Sequence, residues 1–97
     1  MKKRLNAKFS HLGLILKAGR EKADLSQVAV AKKLGYGSPQ FISNFERGIS
    51  SPPTKKLKVL ASLYHLPVDE LLQAIVLDQQ KILQQSIHEM RKILVGR

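Results

Sequence analysis

Apolar residues in this chain recur at helical spacing, and nothing alternates apolar and polar over the length of a strand. Phe9, Leu12, Leu16 and Ala23 predict a first helix from about Ala7 to Ala23. Leu25 packs inward after it. Ser26 is a good N-cap because its hydroxyl can accept from an unpaired amide of the next turn. Val30, Ala31 and Leu34 form the inner face of a short second helix, and Gly35 ends it by accepting the left-handed conformation of a helix stop. A third helix opens at Ser38-Pro39, with Ser as cap and Pro at the first helical position, where a missing N–H costs nothing. Ile42 and Phe45 face inward and Gly48 stops it. Ser50-Ser51-Pro52-Pro53 is a rigid loop. Thr54 caps a fourth helix that carries Leu57, Leu60, Ala61 and Tyr64. Pro67 opens a fifth, led by Val68, Asp69 and Glu70, whose acids suit the positive end of the helix dipole.

The fifth helix meets no stop until Gly96, which makes it roughly 40 Å long, more than so small a domain can cover. Its apolar stripe runs Leu72, Val76, Leu83, Ile87, Met90 and Leu94, with Gln79 in the same row; a flanking row holds Leu71, Ile75, Ile82 and Ile93. An eleven-residue repeat (Leu72, Leu83, Leu94) favours a straight or slightly right-handed pairing. Such a face cannot stay in water. It either folds back on its own domain or, as favoured here, pairs with the same helix of a second chain. Gln79 could then fix register and partner number, or sit as a tolerated, partly wet position.

Charge changes the picture next. Of the 97 residues, 17 are Lys or Arg and 7 are Asp or Glu, a net charge of +10. Twelve bases lie between Met1 and Lys56 against Glu21, Asp24 and Glu46 alone, whereas five bases and four acids follow Lys56. A basic excess confined to the globular part is the footprint of a polyanion partner. It argues against a membrane-surface role for the long helix, which is nearly neutral. No apolar run is long enough to span a bilayer, and no signal core follows the basic start, so a cytoplasmic protein is expected. With no cysteine there is no disulfide, thiolate metal site or thiol nucleophile. His11, His65 and His88 lie on separate segments without metal-ligand spacing and are expected to be solvated, as are Asp78 and Glu89 on the long helix. There is no phosphate-cradling glycine loop and no paired carboxylates. No enzyme activity, metal or cofactor is expected.

Two short helices with a tight connection read as a helix-turn-helix, which docks a positive surface on phosphates and inserts a short helix in the major groove. The residues Leu25-Ser26-Gln27, Val30-Ala31, Leu34-Gly35, Ile42-Ser43, Phe45-Glu46-Arg47-Gly48, Pro53, Leu57 and Leu60-Ala61, extended to Leu12-Gly13 before and Val68–Leu72 after, resemble the lambda-repressor/Cro-like (XRE) helix-turn-helix family. The run is specific. The resemblance implies an all-α, five-helix bundle and a bacterial or phage transcription regulator that binds double-stranded DNA as a homodimer. Three segments are expected: a basic arm (1–8), the DNA-binding domain (9–72) and an extended oligomerisation helix (73–97).

The resemblance also implies roles for particular residues. Gln27 contacts a phosphate and braces the reading helix. Gln40 and Asn44, four apart on one face, are base readers, since an amide can pair with adenine in a bidentate manner. Ser43 lies beside them. Ser38, Arg47, Lys55 and Lys56 are backbone contacts, each with the alternative of a plain surface residue. Arg20 and Glu46 form a partly buried structural ion pair. The sequence departs from the family at several points. The connection Gly35-Tyr36-Gly37-Ser38 is about one residue long, which leaves Tyr36 either packed as a lid or aimed at DNA. Pro39 replaces a polar residue. Leu14 and Ile15 read as two outward apolar side chains. Gly19 weakens the first helix with no evident reason. Lys2-Lys3-Arg4 could follow the minor groove or only add charge. The alternative to a repressor is an antitoxin-like interaction protein, whose long helix holds another protein and whose DNA binding serves autoregulation.

Overall fold

In a computed structural model, residues 7–96 are described; the basic arm Lys2-Lys3-Arg4 lies outside them. Among the described residues the chain is all-α: α1 (Ser10–Lys22), α2 (Gln27–Leu34), α3 (Gln40–Glu46), α4 (Thr54–Tyr64) and α5 (Val68–Val95). The core gathers Leu12 and Leu16 of α1, Val30, Ala31 and Leu34 of α2, Ile42 and Phe45 of α3, Leu60 and Tyr64 of α4, and Leu71 and Ala74 of α5. These are the residues that helical spacing places on each inner face.

Local chemistry sets the boundaries. The Ser26 hydroxyl accepts from Ala29 N–H at 3.0 Å and starts α2. Gly35 closes it at φ 81°. Gly48 at φ 75° turns the chain so tightly that its carbonyl accepts from Phe9 N–H at 3.0 Å, and an added Cβ would lie 2.9 Å from Ser10 Cα. Thr54 is the first helical residue of α4 and makes no capping bond; Pro53 precedes it in extended conformation. α4 ends at His65, a left-handed residue at φ 55°.

Two glycines let α1 approach its neighbours. A Cβ on Gly13 would stand 2.6 Å from the Glu46 carbonyl oxygen, and one on Gly19 would stand 3.1 Å from Tyr64 Cβ. Gly19 therefore exchanges helix propensity for close packing of α1 on α4. Of the two apolar residues expected outside α1, Leu14 is exposed, but Ile15 packs on the core.

α5 belongs to the domain further along than its early residues suggest. Ala74 and Ile75 pack against the core, and Asp78 is 1% exposed, which corrects its reading as a solvated residue. One Asp78 carboxylate oxygen accepts from the His11 N–H at 2.9 Å and lies 2.8 Å from His11 Nδ1; the other accepts from Leu12 N–H at 3.0 Å. His11 is thus tied to Asp78 and is not an unattached surface imidazole. Phe9 stands at the N-cap of α1 without a side-chain oxygen to offer. Asp78 supplies the missing acceptor from another helix, where its charge also suits the dipole. Beyond it α5 passes Ala7 and Lys8, which line a hollow with Ile82, Gln85 and Glu89, and its last turns run out from the domain, giving extents of 53 × 30 × 23 Å.

Candidate nucleic-acid interface

Glu46 anchors the third helix from beneath. It accepts from Arg20 Nε at 2.5 Å, from the second Arg20 terminal nitrogen at 3.1 Å and from Gln27 Nε2 at 2.9 Å. Arg20 also donates to the Leu25 carbonyl at 2.8 Å. The side chains of Arg20 and Glu46 are 12% and 4% exposed, so the pair is largely withdrawn from water. The hydrogen bond to Glu46 raises the Arg20 pKa further above its ordinary value and holds it charged. One carboxylate therefore joins α1, the start of α2 and the end of α3.

The connection between α2 and α3 is held by aromatic packing. Tyr36 stacks on Phe41 with centroids 4.5 Å apart and meets Phe45 edge-on at 6.2 Å. Lys56 Nζ lies 5.2 Å from the Tyr36 ring centroid and donates to the Leu34 carbonyl at 2.6 Å. Tyr36 is a lid on the turn. Lys56, placed among the backbone contacts by the sequence, has its ammonium at the C-terminal end of α2, where a cation satisfies an unpaired carbonyl. Lys55 beside it is exposed.

The outer face of α3 carries polar side chains in one connected row. Gln40 Nε2 donates to Asn44 Oδ1 at 3.0 Å, and the same oxygen accepts from an Arg47 terminal nitrogen at 2.9 Å. Arg47 Nε donates to Ser43 Oγ at 3.2 Å. Ser38 Oγ accepts from Gln40 N–H at 3.2 Å at the start of the helix. Gln40 and Arg47 are exposed, and Ser43 and Asn44 are half-buried against the helix surface. A shallow hollow beside this row is lined by Ser10, Leu14, Lys17, Gln27, Ser43 and Arg47. Gln27 thus stands at the rim of the face, with its amide turned to Glu46.

The stripe Leu72, Val76, Gln79, Leu83, Ile87, Met90 and Leu94 is exposed along the whole of α5. Phe41 went unmarked in the sequence; its reach to Tyr36 depends on the path of the connecting loop. Among the described residues no group of three or more His, Asp or Glu could hold a metal ion, and no helix is long and apolar enough to cross a membrane.

Residues 16–71 match the helix-turn-helix family, and the chain belongs to that family in its lambda-repressor/Cro-like (XRE) form. Over 61 residues the chain is 41% identical to the HTH-type transcriptional regulator ImmR of Bacillus subtilis (strain 168). That stretch is 63% of this chain and 47% of the relative, so the chain spans about half the length of the curated protein it matches. No solved structure matches the chain.

Proposed function

We propose that this chain is a sequence-specific double-stranded-DNA-binding transcription regulator, a repressor that binds an inverted-repeat operator as a homodimer. The observation that carries this reading is the solvent-facing row Gln40–Asn44–Arg47–Ser43 on a helix braced from below by a buried ion pair. In the free protein these groups bond to one another. On DNA, Gln40 and Asn44 turn their amides to base edges, and Ser43 bonds a base or phosphate. Arg47 and Lys55 grip the backbone, Gln27 meets a phosphate at the rim, and the Ser38 turn offers an amide to another. Lys56 contributes by fixing the end of α2. The basic excess before Leu57 lies in the same part of the chain. α5 joins the two copies through its exposed stripe. The name of the Bacillus relative supports the regulatory reading.

Selection of bound duplexes from a random pool tests it. The expected product is an inverted repeat whose half-sites lie about 34 Å apart. A pool that stays random overturns sequence-specific binding, and a single asymmetric half-site overturns the dimer.

A further inference from the structure

We propose that the two α5 helices pair antiparallel about Leu83, and that the last turn of each fills the apolar groove between α4 and α5 of its partner. This rests on the homodimer reading and names the geometry of that interface.

The first observation is the order of the stripe. Its positions step by 4, 3, 4, 4, 3 and 4 residues from Leu72 to Leu94, the same read in either direction. An antiparallel partner centred on Leu83 therefore sets Leu72 against Leu94, Val76 against Met90, Gln79 against Ile87, and Leu83 against itself. No stripe position is left without a mate.

The second observation is the groove. Thr54, Leu57 and Ala61 of α4 face Leu71, Leu72 and Ile75 of α5 across an open apolar channel that flanks the start of the stripe. In the proposed register Ile93 of the partner arrives at the level of residue 73. It lies on the same side of its helix as Leu71 and Ile75, since multiples of about 3.6 residues share a face. Ile93 is 79% exposed, uncovered by the described residues of its own chain. A parallel pair would instead carry both C-terminal halves away from the domains. It would leave the groove vacant and Ile93 outside the seam.

The third observation is charge. α5 begins with Asp69 and Glu70 and ends with Arg91 and Lys92. Antiparallel packing brings the acidic start beside the basic end, whereas parallel packing sets like with like and aligns the helix dipoles.

Because the chain has no cysteine, single substitutions report pairing directly. Leu72→Cys and Leu94→Cys are made separately in the full chain, at exposed positions that leave the core alone, then mixed and treated with a short bis-maleimide. The expected result is a mixed cross-link between the two variants, at least fivefold above either like-with-like product. Predominant like-with-like cross-links overturn the antiparallel arrangement and leave the homodimer standing. No cross-link, with a monomer by light scattering, overturns the homodimer together with its geometry; duplex selection still judges DNA recognition separately. Ile93→Ser, with helicity checked by circular dichroism, should raise the dimer dissociation constant about tenfold or more. An unchanged constant overturns the filling of the groove.

Discussion

Glu46 is the side chain on which the largest single-residue effect should fall. Its two oxygens take three hydrogen bonds from Arg20 and Gln27 in a place that water barely reaches. Truncating it to Ala strands the Arg20 guanidinium without a counter-charge, and a stranded buried charge costs about 3–5 kcal/mol. Urea denaturation of Glu46→Ala should show a loss of that size. Gly13→Ala acts on the same joint by sterics. The new methyl would lie 2.6 Å from a backbone oxygen of Glu46, which no rotamer change can move aside. Overpacking of this kind costs about 1–3 kcal/mol, and the α1–α3 contact must open to relieve it. Gln40 is the contrasting residue. It is exposed, and among the described residues its side chain bonds only to Asn44, so Gln40→Ala should leave stability nearly unchanged. Its expected effect is a relaxed preference at one base pair per half-site, by about 1–3 kcal/mol, read from binding to a set of operator variants. Equal weakening on all sequences would remove Gln40 from the reading set.

At the scale of the helices, what could be read from sequence was whatever is written locally. Ser26 precedes its helix by one residue, Gly35 and Gly48 follow theirs by one or two, and each acts on amides or carbonyls within a turn or two. The same is true of Gln40 and Asn44, whose shared face follows from spacing alone, whereas Arg47 rests on the family resemblance. Asp78 could not be found in this way. The amides it accepts from belong to His11 and Leu12, 67 and 66 residues earlier. In sequence it looks like any acid on a long polar helix, and Phe9 gives no sign that its helix needs an acceptor from elsewhere. Gly19 and Ile15 were obscure for the same reason, since only the approach of α4 and the segment after it gives them a purpose. The consequence for α5 can be measured. Asp78→Ala leaves two amides of the first turn of α1, one buried and one partly buried, without an acceptor and removes a cap, at a cost of about 2 kcal/mol. Hydrogen exchange should quicken first at His11 and Leu12, where the clasp between α1 and α5 opens. Amides of α3, which is held by Glu46, should keep their protection relative to global unfolding. If α3 loosened first, the two clasps would be one cooperative unit.

At the scale of the whole molecule, charge and apolar surface are divided between two ends. Twelve of the seventeen bases lie before Leu57, while the exposed apolar stripe belongs to α5. In the proposed DNA-bound dimer this division would let two kinds of association proceed without competing, one driven by release of counterions and the other by burial of hydrocarbon. Salt separates them. With Arg47 and Lys55 as the cationic contacts of each protomer, a DNA-bound dimer would neutralise about four phosphates, and the logarithm of affinity should fall with the logarithm of salt concentration at a slope near −4. Arg47→Ala removes one contact from each protomer and should make that slope shallower by about 2. It should not alter the dimer constant, because Arg47 caps the C-terminal end of α3 and its bonds go to Ser43 and Asn44 of that helix. Titrations at several salt concentrations, with dimerisation measured in parallel, give both quantities. A slope that stays unchanged would place the Arg47 guanidinium away from the phosphates. It would then act by holding Ser43 and Asn44 in place, and the lost affinity would fall on specific sites more than on random DNA.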